Sequence, residues 1–259
     1  MLIDTHCHLD ATEFDADRAA VLARAHAAGV ARIVVPAVDR ANFDRVAALC
    51  RQYSGCSPAY GIHPMYVDPA ETEDLEVLRE TLRREQPVAV GEIGLDRFVA
   101  DRDDARQEFY FVEQLEIARE FDLPVLLHVR RAIDPILKHL RRIHVPGGIA
   151  HAFNGSRQQA DEFIKLGFKL GFGGAMTWPR ASRLRELAAT LPLESIVLET
   201  DAPDIPPLWL GRERNEPVEI AAIAREIAVL RNMDVPALVA ATMANATAVL
   251  PRMARELIS

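Results

Sequence analysis

The chain has 259 residues, of which 49 % are hydrophobic and 26 % charged, and its formal net charge at pH 7 is −8. This composition is typical of a globular protein and excludes a largely disordered chain. The negative charge argues against a broad basic surface that grips duplex DNA by neutralising phosphates, but it allows phosphate chemistry where metal ions supply the positive charge.

Short runs rich in β-branched residues alternate with longer amphipathic segments along the chain. The predicted strands cover residues 2–5, 31–36, 56–60, 87–92, 124–128, 148–151, 168–172 and 195–200. The predicted helices have apolar residues at three- and four-residue spacing, and they cover residues 17–28, 40–51, 74–85, 103–121, 132–142, 156–166, 182–190, 216–231 and 235–250. A proline-rich segment after the last strand, residues 202–211, is predicted to be a long loop.

Alternation of strands and helices predicts parallel strands joined by helical crossovers. Eight such strands match the (β/α)8 barrel in number and in chain length. We therefore predict an α/β fold, a single (β/α)8 TIM barrel, with residues 1–259 forming one domain. The main alternative is a doubly wound open sheet, but no glycine-rich dinucleotide-binding loop follows the first strand.

Two histidines follow the first predicted strand, in the run Asp4-Thr5-His6-Cys7-His8. Because alternate residues of an extended chain face the same side, both imidazoles can point into the barrel while Cys7 points away. Two histidines at this spacing are suitable ligands for one metal ion. The alternative is a pair of surface or capping histidines.

Four further strand ends carry a histidine or a carboxylate, namely Glu92, His128, His151 and Asp201. Each of them alone could be a hydrogen-bonded structural residue, but a barrel brings all its strand ends to one face. Polar residues placed at random would also include Ser, Asn, Lys and Thr. The joint pattern therefore predicts a metal centre. Its six predicted ligands are His6, His8, Glu92, His128, His151 and Asp201.

Other polar residues close to these strand ends are candidates for contact with a substrate. His63 ends the third predicted strand, and it either binds substrate or is a hydrogen-bonded loop histidine. Arg130 lies two residues after His128 and is expected on the same side, where its guanidinium could hold an oxyanion such as phosphate. Arg131 and Arg214 are interpreted as solvated charges at helix starts.

Aromatic side chains in the loops could stack on the bases of a single strand. The candidates are Phe98, Phe153, Phe172, Trp178 and Trp209. Core or rim packing explains Phe153 and Phe172 more readily, whereas both tryptophans are expected at the mouth because prolines flank their loops. The remaining histidines are interpreted as surface residues; they are His26, His139 and His144.

Six motifs together resemble those of the TatD family of metal-dependent deoxyribonucleases. They occur in order over nearly the whole chain, and the set is far more specific than any single motif. The motifs are DTHCHL at 4–9, GIHP at 61–64, GEIGLD at 91–96, HVR at 128–130, HAFNGS at 151–156 and ETDAP at 199–203. The resemblance implies a barrel of the amidohydrolase type and Mg²⁺-dependent nuclease activity.

The resemblance also implies how the ligands are shared between two ions. One ion would be held by His6, His8 and Asp201, the other by His128 and His151, with Glu92 bridging the two. The cofactor is predicted to be one or two divalent ions, Mg²⁺, Mn²⁺ or Zn²⁺. Imidazole-rich ligation suits transition metals, whereas Mg²⁺ prefers oxygen ligands.

These observations predict a metal-dependent hydrolase, most simply a deoxyribonuclease that cleaves phosphodiester bonds with a metal-activated water, and a 3′–5′ exonuclease if it follows its relatives. Asp201 and Glu92 are the predicted catalytic residues, and His63 and Arg130 the predicted substrate-binding residues. The predicted partner is DNA or another phosphodiester. Two alternatives stay open: a hydrolase or deacylase for a small ester, amide or phosphoester on the same centre, and a barrel that binds metal only for stability.

The predicted compartment follows from the cysteines and the N-terminal residues. The chain has three cysteines, an odd number, and no two of them form a CxxC pair. This argues against a disulfide framework. No signal peptide is visible, and no apolar run approaches the length of a membrane span. We therefore expect a cytoplasmic protein with reduced thiols and no membrane partner.

Overall fold

Residues 1–256 are described by a computed structural model, and the last three residues of the predicted domain, 257–259, lie outside the described part. Within residues 1–256, eight parallel strands form one sheet in chain order. They are β1 (Leu2–Asp4), β2 (Val30–Pro36), β3 (Cys56–Tyr60), β4 (Ala89–Asp96), β5 (Val125–Arg130), β6 (Gly148–Ala150), β7 (Phe168–Phe172) and β8 (Ile196–Leu198). The backbone N–H of Thr5 donates to the carbonyl oxygen of Leu198 at 3.0 Å and joins the last strand to the first. The predicted (β/α)8 barrel is confirmed.

Helices connect the strands on the outside of the barrel. They are α1 (Arg18–Ala27), α2 (Phe43–Gln52), α3 (Glu73–Glu85), α4 (Asp104–Glu120), α5 (Ile133–Leu140), α6 (Arg157–Lys165), α7 (Ser182–Thr190), α8 (Ile220–Arg231), α9 (Val235–Val249) and α10 (Pro251–Glu256). Short 3-10 helices occur in the loops at Thr12–Phe14, Arg40–Asn42, Pro64–Tyr66, Gly174–Thr177, Leu193–Ser195, Leu208–Leu210 and Pro217–Glu219. Within residues 1–256, no single helix is both long and apolar enough to cross a membrane; Pro217–Arg231 and Val235–Val249 meet those criteria only as a pair bent by 109°.

Local sequence signals explain where several helices begin and which face they bury. Helix α6 begins at a reciprocal cap, in which the Ser156 hydroxyl accepts the Gln159 N–H at 3.2 Å and the Gln159 side chain accepts the Ser156 N–H at 3.0 Å. Helix α5 buries Ile133, Ile136 and Leu140, which recur at the spacing of one helical face. Such faces pack against strands that are buried on both sides, as expected for a parallel sheet.

The C-terminal helices α9 and α10 cover one end of the barrel. The Asn245 side chain on α9 donates to the carbonyl oxygen of Ile196 at the start of β8 at 2.8 Å, and Arg252 on α10 donates to that of Pro87, just before β4, at 3.1 Å. Apolar side chains of α9 and α10, including Val249 and Met253, form one buried cluster with residues of the strands. Because this end is filled, the opposite face, where the strands end, is the one open to solvent.

Two strands extend further than the apolar pattern predicts. Strand β4 continues past Glu92 to Asp96, and Asp96 pairs with Arg130 at the end of β5. Glu92 and His128 therefore lie inside strands rather than at their ends, which corrects the prediction. A carboxylate interrupts the apolar run of β4 without ending the strand, because histidines surround the buried Glu92 side chain.

Candidate metal centre

All six predicted ligands come together at the open end of the barrel, with Glu92 at the middle. Glu92 Oε2 lies 3.1 Å from His6 Nε2 and 3.4 Å from His8 Nε2. Glu92 Oε1 lies 2.9 Å from His128 Nδ1 and 3.7 Å from His151 Nε2. The two carboxylate oxygens thus face two different groups of imidazoles, as a carboxylate shared by two cations would.

Asp201 completes the group around the first two histidines. Its Oδ1 lies 3.6 Å from His6 Nε2, 3.8 Å from His8 Nε2 and 3.9 Å from His151 Nε2. The backbone N–H of Asp201 donates to the His6 carbonyl oxygen at 2.9 Å, which ties the segment after β8 to the one after β1. Asp201 has a φ of +58°, a left-handed conformation that is uncommon for a residue other than glycine, although Asp and Asn tolerate it. Such strained residues cluster at functional sites.

The chemistry of these side chains fits divalent cations. Imidazole nitrogens and carboxylate oxygens are the usual protein ligands of Zn²⁺ and related ions. Two groups of three donors, each with its ligand atoms within 4.8 Å of one another, can be drawn from the six: His6, Glu92 and His151, and His6, His8 and Asp201. Among residues 1–256, no Lys or Arg forms an ion pair with Glu92 or Asp201, so the buried Glu92 and the partly buried Asp201 lack a permanent cation.

Burial and neighbouring charges set opposite protonation states within the centre. Burial alone would raise the pKa of the Glu92 carboxyl, but the surrounding imidazoles hold it well below its usual range. Burial and the nearby His151 lower the pKa of His6 to about 3, so its imidazole is neutral and free to bind a cation. Burial opposes protonation of His8 and His151 too, yet neighbouring carboxylates, including Asp201, raise their pKa to about 9 and about 10. These two imidazoles must each release a proton before they bind a metal.

Two buried carboxylates that sequence reasoning did not select contact the outer ring nitrogens of two candidate ligand histidines. Asp96 Oδ2 lies 2.9 Å from His128 Nε2, and Glu199 Oε1 lies 3.3 Å from His151 Nδ1. A carboxylate at the outer nitrogen fixes the tautomer and the orientation of a ligating imidazole. Both carboxylates could have been selected from the sequence, because Asp96 ends the GEIGLD motif and Glu199 begins the ETDAP motif.

Replacing Asp96 by asparagine is expected to weaken metal binding by about 10- to 100-fold, the usual cost of losing such an outer partner. In Asp96→Asn an amide N–H replaces Oδ2 and faces the N–H of His128, while Oδ1 still accepts the backbone N–H groups of Phe98 and Val99. Competition with a chromophoric chelator measures the affinity. Asp101→Asn, on an exposed residue of the loop that follows Asp96, is the matched control. Equal affinity in the two variants would show that Asp96 does not orient His128.

His63, predicted to contact substrate, also lies at the centre. Its Nε2 is 3.0 Å from His128 Nδ1 and 3.5 Å from Glu92 Oε1, and burial lowers its pKa to about 4. The neutral ring accepts the Met65 N–H at Nδ1, at 3.1 Å. Nε2 therefore carries the proton and presents a hydrogen-bond donor to the centre. This tautomer suits a contact with a substrate oxygen better than ligation of a cation.

The centre opens into a cavity of about 1360 Å³ whose lining includes Glu92, Asp201 and three arginines, Arg130, Arg131 and Arg183. Arg130 is half-exposed, and its Nη1 lies 3.7 Å from Asp96 Oδ2. The predicted substrate-binding arginine thus lies on the wall of the same cavity as the predicted ligands.

The aromatic candidates divide into three groups. Phe98 lines the cavity and is 49 % exposed, whereas Phe153 and Phe172 are buried, as expected for packing residues. The two tryptophans are not among the lining residues: the Trp178 indole donates to the Pro206 carbonyl oxygen, and the Trp209 indole donates to Glu219. Stacking of substrate on the tryptophans is therefore not supported. Sequence reasoning also missed an exposed aromatic residue of the lining, Tyr66.

Three residues interpreted as surface residues make contacts that the sequence did not predict. His139 is buried, and its Nε2 lies 2.7 Å from Glu108 Oε1 on α4, so its interpretation as a surface residue is wrong. Arg131 contacts Phe98 on the cavity wall and is more than a solvated helix-start charge. Arg214 instead forms two hydrogen bonds of 2.8 Å with Asp17.

One family model and several known proteins are similar to this chain over most of its length. Residues 3–251 match the family described as TatD related DNase. The uncharacterized metal-dependent hydrolase YjjV of Escherichia coli K12 is 45 % identical over 232 residues, which cover 88 % of this chain and 90 % of that protein. The crystal structure of YjjV, described as a TatD homolog, has a TM-score of 0.93 at 42 % identity and covers 96 % of this chain and 98 % of its own. The 3'-5' ssDNA/RNA exonuclease TatD of Cronobacter sakazakii is 35 % identical over 257 residues, 95 % of this chain and 96 % of that protein.

Proposed function

Since the chain belongs to the family of TatD related DNases and is a metal-dependent hydrolase, we propose that it cleaves phosphodiester bonds in DNA. The observation that carries the proposal is the position of Glu92, whose two oxygens face separate groups of imidazoles beside a cavity that contains arginines. A centre of two cations with arginines at its rim suits an anionic ester, because both supply positive charge to the phosphoryl group.

In this proposal the six residues would hold two divalent ions, Mg²⁺, Mn²⁺ or Zn²⁺, and Glu92 would contribute to both sites. When bound, such ions lower the pKa of a water molecule and offset the charge that develops on the phosphoryl oxygens. Four imidazoles among six ligands favour Zn²⁺ or Mn²⁺ over Mg²⁺. The first ion would be held by His6, His8 and Asp201, and the second by His128 and His151.

The protein's own residues would bind the substrate and move the proton. Asp201 faces the histidines through Oδ1, which leaves Oδ2 to accept a proton from the attacking water. His63 Nε2–H would donate a hydrogen bond to a phosphoryl oxygen, and the Arg130 guanidinium would bind the same phosphate. The similarity to a relative named as a 3'-5' ssDNA/RNA exonuclease supports a single-stranded substrate that is shortened from its 3′ end.

The proposal is tested by an activity panel on the metal-reconstituted protein. The substrates are 5′-labelled single-stranded DNA, the matching duplex, RNA, bis-p-nitrophenyl phosphate and p-nitrophenyl acetate. We expect progressive shortening of the labelled single strand and release of p-nitrophenol from the phosphodiester. Hydrolysis of the acetate with all phosphodiesters intact would contradict the proposal and favour the alternative, a small-ester hydrolase or deacylase.

A further inference from the structure

At the end of β5, two consecutive arginines contact one exposed ring. The guanidinium carbons of Arg130 and Arg131 lie 3.9 Å and 4.6 Å from the centroid of Phe98. Consecutive residues of an extended strand face opposite sides, so regular β structure could not place both side chains over one ring. The backbone of Arg131 has a φ of +55°, which breaks the alternation. This conformation is unfavourable for a residue other than glycine, and such strain is typical of functional sites.

The backbone of the loop that carries the ring is anchored beside the candidate metal centre. Asp96 Oδ1 accepts the backbone N–H groups of Phe98 at 2.8 Å and of Val99 at 3.2 Å. The other oxygen of the same carboxylate lies 2.9 Å from His128 Nε2. A single buried carboxylate therefore fixes both a candidate metal ligand and the loop that carries the ring. Phe98 stays half-exposed on the cavity wall.

The charges of the two arginines are unequally compensated. Arg130 has Asp96 Oδ2 at 3.7 Å, whereas Arg131 makes no ion pair with any residue in the part of the chain that the structure describes. Guanidinium groups that share one ring repel each other, and an anion between or beside them relieves the repulsion. Arg183, the third arginine of the lining, donates to the Asn154 side chain at 2.8 Å. The Arg131 guanidinium is thus the group of this wall best placed to take a further anion.

We propose that Arg131, positioned by Phe98, binds a second phosphate of the substrate next to the phosphate that is cleaved. The inference rests on the proposed phosphodiesterase function and specifies its substrate class: oligonucleotides, which carry neighbouring phosphates, are preferred over diesters with one phosphate. The cavity volume of about 1360 Å³ exceeds the roughly 300–1,000 Å³ of small-ligand pockets, which leaves room for a chain of nucleotides.

The test compares an oligonucleotide with bis-p-nitrophenyl phosphate in Arg131→Gln and Phe98→Leu, at several salt concentrations. For Arg131→Gln, kcat/KM for the oligonucleotide should fall about tenfold more than for the small diester, mainly through KM, as expected for the loss of one charge-assisted contact. The slope of log kcat/KM against log salt should become shallower by about 0.7, the value for one lost phosphate contact on a single strand. Phe98→Leu should give a smaller change of the same kind, and Phe98→Tyr, which keeps the ring, should restore the wild-type behaviour.

Arg180→Gln is the matched control, because Arg180 stacks over Trp178 at 5.5 Å and is not a lining residue. It should change neither substrate's kinetics nor the salt slope. If the wild type cleaves the oligonucleotide and Arg131→Gln matches Arg180→Gln, the second phosphate site is wrong while the nuclease proposal stands. Equal losses on both substrates would also overturn the site, since Arg131 would then act on the metal centre. If the wild type cleaves no oligonucleotide, the proposed function fails and the inference with it.

Discussion

Glu92→Gln is expected to reduce hydrolysis of bis-p-nitrophenyl phosphate by well over about a hundredfold and to lower the metal content of the dialysed protein. Loss of a partner outside the ligand sphere already costs about 10- to 100-fold in metal affinity or activity, and Glu92 faces both groups of imidazoles. Glutamine keeps the size of the side chain but removes its charge, and its amide N–H groups face ring nitrogens that need an acceptor or a cation. Elemental analysis and initial rates measure the two effects.

Glu13→Gln is the control for this variant, because Glu13 lines the mouth of the cavity, is exposed and belongs to none of the ligand groups. It should keep the wild-type metal content and rate. Circular dichroism of both variants establishes that the barrel is intact. Retention of full metal content and full activity by Glu92→Gln would remove Glu92 from the centre and, with it, the bridging arrangement.

Asp201→Asn is expected to lower kcat for bis-p-nitrophenyl phosphate by about 10²- to 10⁴-fold, the range typical of general acid–base groups. Asparagine cannot accept a proton from water at neutral pH, so the loss should appear in kcat. The fold should tolerate the change, since Asn adopts the left-handed conformation of residue 201 as readily as Asp does. Initial rates over a range of substrate concentrations separate kcat from KM.

Asp204→Asn provides the comparison for Asp201→Asn. Asp204 is an exposed carboxylate three residues further along the same loop, and it also lines the cavity. A loss of kcat confined to residue 201 would support its role as proton acceptor. Wild-type kcat in Asp201→Asn would rule that role out, and a loss shared by both variants would indicate a general effect of charge in the loop.

The sequence predicted the six clustered side chains because a barrel converts chain order into proximity. These ligands lie far apart in the chain, but Glu92 and His128 lie inside strands, and His6, His151 and Asp201 follow the C-terminal end of a strand. Parallel strands in a closed sheet must bring those positions together. The fold class and the cluster of side chains could therefore be predicted from the spacing of the apolar runs and of a few polar residues. No knowledge of the contacts was needed.

The features that sequence reasoning missed depend on single contacts or single torsion angles. The proximity of His139 to Glu108 depends on how α5 packs against α4, which no local pattern encodes. Arg130 and Arg131 contact the same Phe98 ring because the backbone of Arg131 has a positive φ. An arginine in a sequence does not indicate that its backbone will adopt this conformation. The end of β4 was misplaced because a charged residue normally interrupts a buried strand, and only the surrounding histidines make Glu92 an exception.

The hydrogen bonds that join the segment after β8 to the segment after β1 have a consequence for how the protein matures. The group formed by His6, His8 and Asp201 spans almost 200 positions of the chain, so a ribosome must synthesise all eight strands before that group can exist. Closing so long a loop costs more chain entropy than a local contact does, so contacts of this sequence separation form slowly. An ion held by these three residues would thus be acquired only by a barrel that has already closed, and its uptake would report completed folding.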